Sequence, residues 1–100
     1  MGAAPEILYE VVITVSPEIR NDYLAWLRRH MAQMLDLDGF TDAEMLFNCE
    51  NENEITCHYR LRDQQAMQDY LDGPAKAMRA DGVKQFGDKF SASRRILSAS

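Results

Sequence analysis

The chain has 100 residues, of which 46% are apolar and 27% charged, the composition of a folded domain rather than a disordered segment. Sixteen acids against eleven bases give a net charge of −5, a field that repels phosphate backbones, so nucleic acid is not an expected partner. No run of about 18 apolar residues is present, and no membrane span is expected. Cys49 and Cys57 form no Cys-x-x-Cys pair, and zinc or redox motifs need closer spacing or more ligands, so neither metal nor cofactor is expected. Met1 to Glu6 lacks the basic stretch and apolar core of a secretory signal, and Glu6 stands where a myristoylation signal carries Ser or Thr. The expectation is one cytoplasmic domain over residues 1–100 with reduced thiols and one modest core.

Ile7 to Val15 is rich in β-branched and aromatic residues, and Ile7, Tyr9, Val11, Ile13 and Val15 share one parity. That pattern predicts a central strand with one face on the core. Ser16-Pro17-Glu18 predicts a helix start, with Ser16 as N-cap and Pro17 at the first helical position. Ile19, Tyr23, Trp26, Leu27, His30, Met31 and Met34 recur at three- and four-residue steps, one buried stripe of a helix that runs to about Asp36 and ends at Asp38-Gly39.

Phe40 to Cys49 and Glu54 to Arg62 predict a hairpin, with Ala43, Met45, Phe47 and Cys49 facing the same side as Ile55, Cys57, Tyr59 and Leu61. A three-residue loop, Asn51-Glu52-Asn53, with Asn53 in the left-handed region sets Phe47 against Cys57 and Met45 against Tyr59. Cys49 is then diagonal to Cys57 at ~7–8 Å, so both thiols are expected to be free. Asp63 predicts the cap of a second helix with Met67, Tyr70 and Leu71 buried, interrupted at Gly73-Pro74. Helix resumes from Ala75 to Arg79 and is expected to stop at Asp81-Gly82; Val83 and Phe86 suggest a short turn, and Phe90 to Leu97 a last strand.

The order β-α-β-β-α-β is the split βαβ or ferredoxin-like arrangement, an α+β sandwich with a four-stranded antiparallel sheet and helices on one face. The crossover rule is taken to make the first and third strands central parallel neighbours.

Parity then sorts the chemistry. The covered face gathers Tyr9, Trp26, His30, Tyr59 and Tyr70, whose polar tips can orient an apolar or aromatic small molecule. Each also has a structural reading, since core tyrosines bond nearby carbonyls and a late-helix histidine gains from the dipole. The open face carries Leu8, Glu10, Val12, Leu46, His58, Arg60, Arg95 and Leu97, with Thr14, Glu44, Asn48 and Arg62 around them. Either these are surface ion pairs or a second copy packs here to give a homodimer, and the small one-sided core favours the dimer. His58 points away from His30, so the two cannot share a metal, and it points away from Cys57, so no Cys–His nucleophile forms. The acidic hairpin tip, Glu50 to Glu54, lacks the glycine and loop of a calcium site. Arg94 and Arg95 with Arg79 and Lys89 form a candidate anion site.

The segments Leu8-Tyr9-Glu10-Val11, Trp26-Leu27 with His30, Gly39-Phe40-Thr41, Ile55 to Tyr59, Tyr70-Leu71, Met78-Arg79 and Phe90 to Leu97 fall in the order seen in a bacterial family of uncharacterised proteins. That family, known as a domain of unknown function, resembles the dimeric α+β barrel superfamily. The resemblance implies a homodimer with its ligand between sheet and helices. Members of the wider superfamily include monooxygenases needing no metal or flavin, haem-degrading enzymes, lactone isomerases and ligand-sensing modules. Two functional expectations follow: a small-molecule binding or regulatory module, or a cofactor-free oxygenase or isomerase acting on an aromatic substrate through Tyr9, His30 and Tyr59. A cavity of a few hundred Å³ holding His30 and a tyrosine favours the second; Trp26, Met45 and Phe47 filling that space would count against it.

Overall fold

The computed structural model describes residues 4–99; Met1, Gly2 and Ala3, read above for targeting signals, lie outside them. Strand β1 (Ile7–Val15) alternates as its sequence demands, with all five odd-numbered residues buried. A 3-10 turn (Pro17–Ile19) leads into α1 (Arg20–Leu35). The expected Ser16 side-chain cap does not form; instead the Ser16 carbonyl accepts from the Ile19 amide at 3.1 Å, because proline first tightens the entry into a 3-10 turn. Tyr23, Trp26, Leu27, Met31 and Met34 are buried as expected and Leu24 joins them, whereas Ile19, in the 3-10 turn, and His30 are only half-buried.

The turn out of α1 depends on Gly39, whose φ is +89° and whose added Cβ would meet the Ala66 Cβ at 2.5 Å. Only glycine accommodates both the left-handed backbone and that contact. β2 (Phe40–Asn48) and β3 (Asn51–Leu61) form the hairpin, and here the register differs from expectation. Phe47 faces Ile55 and Met45 faces Cys57. Faces are preserved, because the shift is two residues, but the turn is Cys49-Glu50, and among the described residues only glycines take positive φ. Asn48 Oδ1 accepts from the Glu50 amide at 2.8 Å, an Asx turn that replaces the left-handed Asn53. Cys49 is exposed, Cys57 buried, and both are free.

Asp63 caps α2 (Gln64–Asp72), its Oδ1 accepting from the Ala66 amide at 2.9 Å. Ala66, Met67 and Tyr70 make the buried face, while Leu71 is exposed at its margin. After Gly73-Pro74, α3 (Ala75–Phe86) runs through Asp81-Gly82 instead of stopping there. A Cβ at Gly82 would meet the Trp26 ring at 3.1 Å and the Phe90 ring at 3.4 Å, so the glycine lets α3 close on two aromatics at a helix-propensity cost of about 1 kcal/mol. β4 (Phe90–Ser98) completes the sheet.

The sheet order is β2-β3-β1-β4, which places β1 and β3 centrally as expected, but they pair antiparallel, as do all neighbours. The crossover through α1 makes β2 parallel to β1, and the hairpin then reverses β3, so the strand lying between them must oppose both. All three helices cover one face. Among the described residues no helix is long and apolar enough to cross a membrane.

Candidate functional site

A cleft lies between the sheet and the helices that cover it. Tyr9, Trp26, His30, Tyr59 and Tyr70, the five residues expected to meet, all line it. The cleft's enclosed volume is about 40 Å³, room for a few waters, since one needs roughly 10–15 Å³. This is neither the few-hundred-Å³ cavity nor the filled core contrasted above. Trp26 forms a wall, Met45 and Phe47 do not line the cleft, and Phe47 is 46% exposed.

Two aromatic groups flank the space. Tyr9 packs at a tilt against Tyr59 and Tyr70, with ring centroids 6.0 and 5.9 Å away, and Phe40 meets both partners edge-on. On the other side Tyr23 touches Trp26, Phe86 and Phe90 at centroid distances of 5.1–5.4 Å. Burial raises the Tyr59 and Tyr23 hydroxyls well above the ordinary tyrosine range and pushes Tyr70 up to about 12. These hydroxyls therefore remain protonated and able to donate. Tyr9 Oη accepts from Arg79 Nη2 at 3.1 Å.

Trp26 and His30 lie one helical turn apart on α1, which stacks their rings with a 4.6 Å centroid distance and 19° between planes. The Trp26 N–H does not point to a ligand: it donates to Asp81 Oδ2 at 2.9 Å and ties α1 to α3. His30 Nδ1 is fully enclosed and has no hydrogen-bond partner. Burial holds the imidazole below its ordinary pKa, Asp81 opposing and Arg94 reinforcing that effect, so at neutral pH it is an uncharged ring with an unanswered polar nitrogen. Cys57, by contrast, is chemically quiet. Its sulfur sits 3.9 Å from Met31 Sδ, and burial pushes the thiol up to about 11, far from thiolate reactivity.

Two cleft residues escaped the sequence analysis in this role. Arg94 pairs with Val11 across β1–β4 and so shares the covered face, a position its even number in β4 encodes once the register is known. Arg79 reaches the cleft because α3 stays helical beyond it. Of the four cations grouped above, only these two line the cleft. Arg95 lies on the opposite face and Lys89 pairs with Glu18 at 4.0 Å.

The open face holds Leu8, Val12, Leu46 and Leu97 beside a connected charge group. Glu10 Oε2 lies 2.9 Å from His58 Nε2, and Glu10 Oε1 accepts from Arg95 Nε at 2.6 Å. Arg60 pairs with Glu6 at 3.0 Å. The Arg95 and His58 bonds hold the Glu10 carboxyl below its usual range. His58 and His30 are on opposite faces, and among the described residues no three His, Cys, Asp or Glu side chains are grouped to hold a metal ion.

An antiparallel sheet in the order β2-β3-β1-β4, covered on one side by helices, defines a ferredoxin-like α+β domain. The chain belongs to the family described as a domain of unknown function, DUF4286, whose model matches residues 6–100. No curated protein matches it in sequence. Among solved structures it is similar to SnoaB, a cofactor-independent oxygenase from Streptomyces nogalater, with 17% identity, a TM-score of 0.78, and 96% of this chain and 94% of that one covered. It is also similar to a conserved protein from Methanosarcina mazei Go1, at 14% identity and a TM-score of 0.77 over 96% of this chain and 94% of that one. A Nitrosomonas europaea protein provisionally described as an antibiotic biosynthesis monooxygenase matches at 9% identity and a TM-score of 0.77, covering 99% and 93%. At these identities the likeness is one of fold.

Proposed function

We propose that this chain is a cytoplasmic small-molecule binding domain that takes an apolar or aromatic ligand into the cleft between its sheet and helices. The observation that carries this reading is His30, which lines the cleft with four tyrosines while its Nδ1 is enclosed and unpaired. An enclosed polar atom without a partner costs about 1–3 kcal/mol, a cost that a ligand's hydrogen bond would remove. A ligand larger than a few waters needs the cleft to widen. The element suited to yield is α3, which follows Gly73-Pro74 and buries only Ala75 and Gly82 fully. Thermal unfolding against a panel of aromatic and lipid-like metabolites tests the reading. At 100 times Kd a ligand adds about 2.7 kcal/mol, and His30→Gln should weaken that shift. A panel without stabilising members, or shifts indifferent to His30, would overturn it.

A second reading at the same cleft is cofactor-free oxygenase or isomerase chemistry. It is favoured by the neutral state of His30, which in the Nε2–H tautomer leaves Nδ1 free to take a proton from a phenolic or enolic substrate. SnoaB, similar in fold, is described as a cofactor-independent oxygenase. Oxygen uptake or isomerisation that His30→Gln abolishes, with ligand binding retained, would establish it.

The working unit in this proposal is a homodimer formed through the open face, where four aliphatic side chains surround Glu10, His58, Arg60 and Arg95 and the partner supplies the same charges in reverse. Sedimentation at micromolar concentration should give twice the chain mass, and Val12→Arg should return it to the monomer with its circular dichroism intact. A monomeric native protein would refute the assembly.

A further inference from the structure

We propose that the ligand of this cleft is an anion, a flat apolar body carrying one negatively charged oxygen group that Arg79 and Arg94 receive. The inference rests on the binding reading above and names its substrate class. Both arginines line the cleft, and they arrive from separate elements, α3 and β4. Arg94 occupies the covered face of β4, where its same-face neighbours are Ala92 and Ile96. Arg79 donates to a neutral acceptor, Tyr9 Oη. Among the described residues neither arginine has a carboxylate within 4 Å, whereas Arg60, Arg62 and Arg95 each do.

In a chain with sixteen acids and eleven bases, two arginines without carboxylates at one cleft mark a local reversal of the protein's field. Asp81, the acid whose charge reaches His30, is engaged by the Trp26 N–H on one oxygen and makes no ion pair with either arginine. The positive field of Arg94 extends to His30, Tyr23 and Tyr70. An anionic oxygen would thus find charge from two guanidinium groups and hydrogen-bond donors in the protonated tyrosines, while its apolar body lies against Trp26 and the tyrosine rings. Guanidinium planes suit this task because they present several donors in a fixed fork.

Isothermal titration of three probes, 2-naphthoate, 2-naphthamide and 2-naphthol, decides the matter. The carboxylate should bind roughly tenfold or more tightly than the isosteric amide, the size of a charge-assisted hydrogen bond, and added salt should narrow the gap. Naphthol affinity rising through its own ionisation would assign the site to phenolates as well; a flat response would restrict it to carboxylates, and both outcomes support an anion site. Arg79→Gln and Arg94→Gln should each shrink the carboxylate preference. Both side chains are exposed and their loss should leave folding intact, and Arg28→Gln, on the outer surface of α1, should leave the preference unchanged. Equal binding of carboxylate and amide would overturn the anion inference while leaving the binding reading standing. Failure of all three probes to bind would overturn both.

Discussion

The two sides of the sheet treat their polar groups in opposite ways. On the open face Glu10 sits between His58 and Arg95 with both oxygens engaged, and Arg60 has Glu6. Charge there is matched within the chain. On the covered face His30 Nδ1 has no partner, and Arg79 and Arg94 have no carboxylate among the described residues. The strands are the same and their residues alternate by one position, so the contrast owes nothing to backbone geometry. It separates a surface whose polar groups are satisfied in isolation from one whose groups await something else. Self-satisfied polar groups suit a face that packs against its own copy, because they add no unpaired buried charge. Unsatisfied ones suit a ligand.

The largest effect expected from this contrast is at Trp26. Its ring stacks on His30, touches Tyr23 and Phe86 and receives α3 at Gly82, while its N–H holds Asp81. Trp26→Ala should cost about 3–5 kcal/mol, a large part of a small domain's total stability, as read by urea denaturation. Substitutions at Arg95 or Arg60 should cost less than about 1 kcal/mol. A comparable loss from both faces would dissolve the distinction.

A smaller effect separates the faces by pH. Burial lowers the His30 pKa in the folded chain from an ordinary 6.5, so the unfolded chain binds this proton first as pH falls. Stability contributed by the neutral ring is complete above about 6.5 and declines below it, down to the folded pKa. His30→Gln should flatten the stability–pH curve in that window. An unchanged slope would mean that His30 is not buried as a neutral ring.

How far the sequence discloses this arrangement depends on which interaction decides each feature. Alternation in β1 and β3 encodes the two faces directly, and so the sequence alone places Tyr9 and Tyr59 on one side and Glu10 and His58 on the other. The hairpin register slipped by two because Asn48 closes its own turn on Glu50, a local hydrogen bond that competes with a left-handed Asn53 and leaves parity untouched. Asp81-Gly82 reads as a helix end by local propensity. Contact with Trp26 and Phe90 overrides it, and that tertiary gain was invisible in the segment itself. The orphan nitrogen of His30 was equally hidden: a stripe position specifies burial, and only the packed structure reveals whether a partner arrives.

The smallest effect tests the open face alone. Glu10 lies below its ordinary pKa near 4.5 because Arg95 and His58 bond its charged form. A carboxyl depressed by folding contributes stability that is present above its unfolded pKa and lost as pH falls through the folded one. Glu10→Gln should therefore cost about 0.5–1 kcal/mol at neutral pH, the scale of a solvent-accessible ion pair, and the difference from the parent should vanish in acid. Its window opens about two units below that of His30, so acid titration removes the covered-face contribution first. The Glu10 difference should also shrink at high salt, where the Debye length falls to about 3 Å. If Glu10→Gln instead costs several kcal/mol and is indifferent to salt, the charge group is shielded by a partner face, and the loss should then grow with dilution, because it would be read from the dimer rather than from the single sheet.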